Sequence, residues 1–161
     1  MARYITLLFL FMLAGCEISS EQIIKTEKFK YDVIKFDAVS KNLIYENFFH
    51  DDESENIKQI VAYWFDNKIK TNGFDGSLDV ILKNKNTSKI KNKDYFKFQI
   101  DINFEFQEKE IDSSVSKTYN IKVTEYGEIK GNFSINDQEN LVLNTIHKSL
   151  MSVTKKLNNL N

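Results

Sequence analysis

The clearest periodicity in the chain spans 96–106. Phe96, Phe98, Ile100, Ile102, Phe104 and Phe106 take every even position, and Lys97, Gln99, Asp101, Asn103 and Glu105 every odd one. Strand side chains point alternately to opposite faces, so this segment predicts a strand with one buried and one wet face. Leu78, Val80 and Leu82 alternate in the same way with Ser77, Asp79 and Lys83, and Asn84-Lys85-Asn86 reads as a turn. Asp112-Ser113-Ser114 turns the chain again before Tyr119, Ile121 and Val123, which alternate with Thr118, Asn120, Lys122 and Thr124. Gly127 and Gly131 mark a bulge or turn around Ile129. Earlier, 29–39 carries apolar residues at both parities, Tyr31 and Val33 on one face and Ile34 and Phe36 on the other. That pattern predicts a first strand with a register break.

Two stretches change period. Ile57, Ile60, Val61, Trp64, Phe65 and Ile69 recur at helical spacing, with Gly73 as the stop. Asp51-Asp52-Glu53-Ser54 opens this helix, where acidic residues suit the positive end of the dipole and Asp52 or Ser54 can cap. Val142 (or Leu143), Ile146, Leu150, Val153, Leu157 and Leu160 form the stripe of a last helix. Asn136 or Asp137 opens it, with Glu139 placed as in a capping box, and Lys155 and Lys156 lie near its negative end. The order β-α-β-β-β-α predicts an α+β fold. It is a two-layer sandwich, a four-stranded mixed sheet with two helices on one face. Lys97, Gln99, Asp101, Asn103, Glu105, Thr118, Asn120 and Lys122 then face water on the other side of the sheet.

The amino terminus follows neither period. Arg3 precedes an almost wholly apolar run over 4–13, which closes in Leu13-Ala14-Gly15-Cys16. Charge, apolar core and small-residue exit make a secretory signal. At about ten residues the run is too short to span a ~30 Å hydrocarbon core. The closing four residues are similar to the lipobox of bacterial lipoproteins. The resemblance implies cleavage between Gly15 and Cys16 and a diacylglyceryl group on the Cys16 sulfur. The chain then divides into a signal peptide at 1–15, a lipidated N-terminus and polar tether at 16–28, and a single domain at 29–161. Glu17, next to the cysteine, leaves inner against outer membrane open.

Composition narrows the chemistry. The 161 residues are 42% hydrophobic and 28% charged, enough for one soluble domain. Lys+Arg of 22 against Asp+Glu of 23 leaves a net charge of −1, with no basic excess to follow a phosphate backbone. The single cysteine excludes an intramolecular disulfide. Gly73-Phe74-Asp75-Gly76 lacks the Lys-Ser/Thr of a phosphate loop, and no serine sits in a nucleophile elbow. His147 beside Ile146 reads as a boundary residue, and His50-Asp51 is a pair of loop neighbours without held geometry. Asp101, Asn103 and Glu105 read as a solvated sheet face and the Asp51–Glu53 acids as a helix cap. No metal, cofactor or catalytic set is therefore expected, and the chain is not expected to be an enzyme. The aromatics outside the buried parities, Tyr45, Phe48 and Phe49 beside His50, are the expected partner-contact surface.

Lipobox, length and element order together resemble the small lipopolysaccharide-assembly lipoproteins of the outer membrane. The chain departs from them after the cysteine. Glu17-Ile18-Ser19-Ser20 stands where that family has an aromatic-Pro-Leu-Tyr stretch, so its lipid-binding residues are not transferred. The resemblance implies a non-enzymatic adaptor or assembly factor, lipid-anchored in the cell envelope, facing the periplasm, with an envelope protein or glycolipid as partner. The alternative expectation is an accessory lipoprotein of an envelope lipid-transport system, with its ligand in a groove between sheet and helices.

Overall fold

The computed structural model describes residues 29–46, 53–110 and 117–160. Its main sheet has the strand order β2-β4-β5-β6, formed by β2 (Ser40–Tyr45), β4 (Ser77–Asn92), β5 (Tyr95–Lys109) and β6 (Lys117–Lys130). β2 runs parallel to β4, and β4, β5 and β6 are successively antiparallel. Helix α1 (Ser54–Lys68) makes the crossover that a parallel pair requires, and α2 (Ile135–Asn158) closes the chain. The α+β class and the four-stranded mixed sheet with two helices are as the patterning predicts. Along β5 every even residue from Phe96 to Phe106 is buried, against at most 3% exposure. Trp64 of α1 lies 5.5 Å from Phe104 by ring centroid, and its Nε1 donates to Thr154 Oγ1 of α2 at 3.0 Å. Both helices therefore share the apolar face of the sheet.

The first strand differs from expectation. The break in 29–39 splits the segment. β1 (Ile34–Phe36) leaves the main sheet to pair in parallel with β3 (Ile69–Thr71), and β2 beyond it supplies the sheet edge. Ile69 consequently belongs to a strand, and α1 ends at Lys68, short of Gly73. The stop comes from a residue far away in sequence. Ile69 is extended and pairs with Ile34 of β1, and Lys41 Nζ donates to Phe65 O in the last turn of α1 at 2.7 Å and to Ile69 O at 2.8 Å, bridging the helix end and β3. Gly73 instead permits close approach, since a Cβ there would lie 2.4 Å from Asp37 Oδ1 and 2.5 Å from Ala38 N.

Other local readings are corrected as well. Asn84-Lys85-Asn86 is not a turn: β4 runs through it with a register shift between Leu82 and Asn84, and the chain reverses at Lys93-Asp94. Nor is Gly127 part of a turn. It pairs with Phe98 inside β6, while Ile129 pairs with Phe96. Helix α2 is capped by Ser134, not by Asn136 or Asp137. Ser134 Oγ accepts from Asp137 N and the Asp137 carboxylate accepts from Ser134 N, a complete capping box. Leu160 lies beyond α2 and is 56% exposed, so the apolar stripe ends at Leu157. The odd residues of β5, from Lys97 to Glu105, are half-buried rather than bare, because β5 is a central strand with side chains of β4 and β6 on either side.

Candidate functional site

Cys16, Gly15, Phe48, Phe49 and His50 lie outside the described residues, as does the Asp112-Ser113-Ser114 turn. Tyr45 is described. It ends β2 half-buried, its hydroxyl donates to Lys58 O of α1 at 3.3 Å, and burial pushes its pKa up to about 12. Its ring packs against the core.

At the opening of α1 the acids meet lysines from β4. Glu53 pairs with Lys89, and Lys85, only 3% exposed, donates to Ser54 Oγ at 2.8 Å. The β4 bulge after Leu82 precedes Lys85, and Lys85 sits opposite Ile102. Ser54 thus accepts from a lysine rather than capping the helix, and Glu53 at the N-cap position makes no side-chain capping bond. Among the described residues no three His, Cys, Asp or Glu side chains come together as a metal-binding group.

On the polar sheet face, Asn86, Asp101, Asn103, Lys122 and Thr124 line a depression of about 240 Å³. Thr124 Oγ1 donates to Asp101 Oδ1 at 2.6 Å across the β5–β6 pair. Lys83 reaches Glu105 at 3.1 Å on the same face. Bonds from Gln107 and Lys83 hold the Glu105 carboxyl below its usual range. Asp101 and Glu105 are thus paired across the sheet face, as alternate polar residues on a sheet are, while the Asn103 side-chain oxygen is buried without a partner among the described residues.

The most constructed feature lies around Phe29 and Tyr31, at the start of the first described segment. Phe29 stacks on His147 at 4.5 Å and 14°. The Tyr31 hydroxyl bonds to His147 Nδ1. His147 is buried, not at the boundary, and burial pushes its pKa down to about 4. The Tyr31 phenol is driven upward, by burial first and by Tyr63 second. A neutral imidazole accepting from a protonated phenol suits both shifts, so we assign the proton to the tyrosine oxygen. Among the described residues no third polar group completes this pair into a relay, and the Phe29 ring covers one imidazole face. The pair clasps the N-terminal segment to α2. Beside it, Lys30, Tyr31, Asp32, Met151, Ser152, Thr154 and Lys155 line an open cavity of about 420 Å³. Ser152 is turned aside to donate to Glu125 Oε1 at 2.6 Å. Tyr31 and His147 carry no sequence signal as a pair; only a tyrosine and a histidine on apolar parities could have raised the question.

No protein-family profile matches the chain, and no curated protein matches it. Among solved structures it is similar to a minor lipoprotein from Acinetobacter baumannii, at 13% identity and a TM-score of 0.43. That match covers 73% of this chain and 89% of the other. Rare lipoprotein B from Shewanella oneidensis matches at 10% identity and a TM-score of 0.35, over 75% of this chain and 98% of that one. A putative neuraminyllactose-binding hemagglutinin homolog from Helicobacter pylori matches at 11% identity and 0.29, over 80% and 89%. At these scores the superpositions do not assign this chain to a family.

Proposed function

We infer that this chain is a bacterial cell-envelope lipoprotein, held on a membrane by lipid at Cys16, and that its domain is a non-enzymatic adaptor or assembly factor. The observation that carries the reading is the lipobox: the only cysteine of the chain directly follows Leu13-Ala14-Gly15 and an apolar run of signal length. Each buried acyl methylene contributes about 0.8 kcal/mol, so two or three chains anchor a small domain permanently. Cys16 is then consumed as a thioether and is unavailable as nucleophile, metal ligand or disulfide partner. The transport-accessory alternative needs a groove between sheet and helices. That interface is occupied by Trp64, Phe98, Phe104 and Phe106, each at 0% exposure. The expected partner is an envelope protein or glycolipid.

The anchor is tested by Cys16→Ser. The variant should fold, lack the diacylglyceryl mass on its N-terminal peptide and leave the membrane fraction. Retention on membranes at high salt, with the signal removed, would sink the reading. Crosslinking of the lipidated protein in its native envelope tests the adaptor role. Capture of an outer-membrane barrel or glycolipid supports assembly, and capture of an inner-membrane permease moves the assignment to the transport system.

A further inference from the structure

Beside the Tyr31–His147 clasp, the exposed face of α2 is basic. The whole chain is balanced at −1, yet from Asn140 to the carboxyl terminus there is no Asp or Glu side chain, while Lys148, Lys155 and Lys156 are present. Lys148, Met151 and Lys155 fall at three- and four-residue spacing, which puts them on one face of α2. All three are exposed, Met151 at 38% despite its apolar side chain. Lys30, also exposed, lines the cavity together with Met151 and Lys155. Among the described residues the acids nearby are Asp32, which lines the cavity, and Glu125, which already accepts from Ser152. Lys156 is partly engaged, donating to Lys122 O at 2.6 Å.

Position adds to charge. Phe29 follows Cys16 by about 13 residues, a reach of about 45 Å when extended and about 20 Å as a coil. The clasp fixes the tether's point of entry beside this face of α2 and not at the far side of the sheet.

We propose that the surface formed by Lys30, Lys148, Met151 and Lys155 docks on the anionic headgroups of the membrane that holds the lipid anchor. The lysines meet lipid phosphates, Met151 enters the headgroup boundary, and the polar sheet face is turned away. The proposal rests on the anchor at Cys16. A short basic face with one exposed thioether is too weak to hold a free protein. Once the anchor has abolished the cost of encounter, each lysine near an anionic surface still favours the docked orientation about fivefold.

The test uses the full lipidated chain in vesicles of phosphatidylcholine, alone or mixed with phosphatidylglycerol. Met151→Cys introduces a thiol on the face, Tyr126→Cys one on the exposed opposite side, and a membrane-impermeant maleimide reads both. The proposal expects Met151→Cys to react at least fivefold more slowly on the anionic vesicles than on neutral ones. High salt, or Lys30→Glu with Lys155→Glu, should restore the rate, and Tyr126→Cys should react equally throughout. Equal rates for Met151→Cys on both vesicles overturn the proposal, as does protection that survives salt and both charge reversals. The unsubstituted protein separates this failure from that of the anchor: a lipidated Cys16 takes no label, whereas labelling of Cys16 itself overturns the anchor and the docking together.

Discussion

A buried imidazole makes the domain acid-sensitive in a pH window above that of its lowered carboxyls. His147 is neutral in the fold, with its pKa lowered to about 4, whereas an unfolded histidine titrates near 6.5. Between those values the unfolded chain binds the extra proton, so stability is complete above about pH 6.5 and falls as pH drops toward 4. The loss approaches about 3 kcal/mol from this residue. Urea melts at neutral pH and at about pH 4.5 measure it. His147→Phe should lower stability at pH 7, because the Tyr31 hydroxyl loses its acceptor, and should flatten the slope over this window. An unchanged slope would show that other groups control acid unfolding. Two glycines make a second contrast. A Cβ at Gly127 would meet Thr145 Oγ1 at 2.6 Å and Leu141 Cδ1 at 2.7 Å, while at Gly131 it would meet nothing within 4 Å but would need φ of +85°. Gly127→Ala should cost about 1–3 kcal/mol by overpacking α2 against β6, and Gly131→Ala about 1 kcal/mol by backbone strain alone. Thermal melts of the two variants would rank them.

At the scale of elements, the helix ends carry the stability that patterning does not show. Ser134→Ala removes the capping box of α2 and should cost about 1 kcal/mol. Asp137 should keep the bond from the residue 134 backbone N–H and lose the hydroxyl bond that, after it, holds its carboxyl below the usual range, so its titration should move upward. Carbon-detected titration of Asp137 in the variant would read this directly, and an unmoved Asp137 would mean that the box is not formed in solution. The other end of the logic is Lys41, which stops α1 from a different strand and sits 4.2 Å over the Phe65 ring. Its amine is lowered by burial, which Asp66 opposes. Helix length here is set by a neighbour and not by the helix's own sequence. This is why Ile69, apolar and correctly spaced, was legible as helical and is a strand.

For the whole molecule, Trp64 reports on everything at once. It is the only tryptophan, fully buried, and touches β5 and α2 together. Its fluorescence and the far-ultraviolet circular dichroism should therefore change at the same denaturant concentration, since helices and sheet share one core. Separated transitions would show that α1 and the sheet melt independently. Much of the core was legible in advance. The even positions of β5, Ile121 and Val123 of β6, and the stripe from Val142 to Leu157 are all buried as their periods require. The Tyr31–His147 clasp and its cavity were not legible, because the two residues are joined only by folding.

What the sequence by itself determined is local: which face of each strand and helix is apolar, and an apolar run at the amino terminus that closes in Leu13-Ala14-Gly15-Cys16 and resembles a lipobox. Both are patterns within about a dozen residues, and burial follows from them through the hydrophobic effect, whatever the partner. The tertiary structure alone decided where α1 stops, that 84–86 continues β4 after a bulge and is not a turn, and that β1 leaves the sheet. It also decided that His147 is held neutral. Each of these depends on a hydrogen bond or close contact between residues far apart in the chain, and such pairs leave no periodic trace in the sequence.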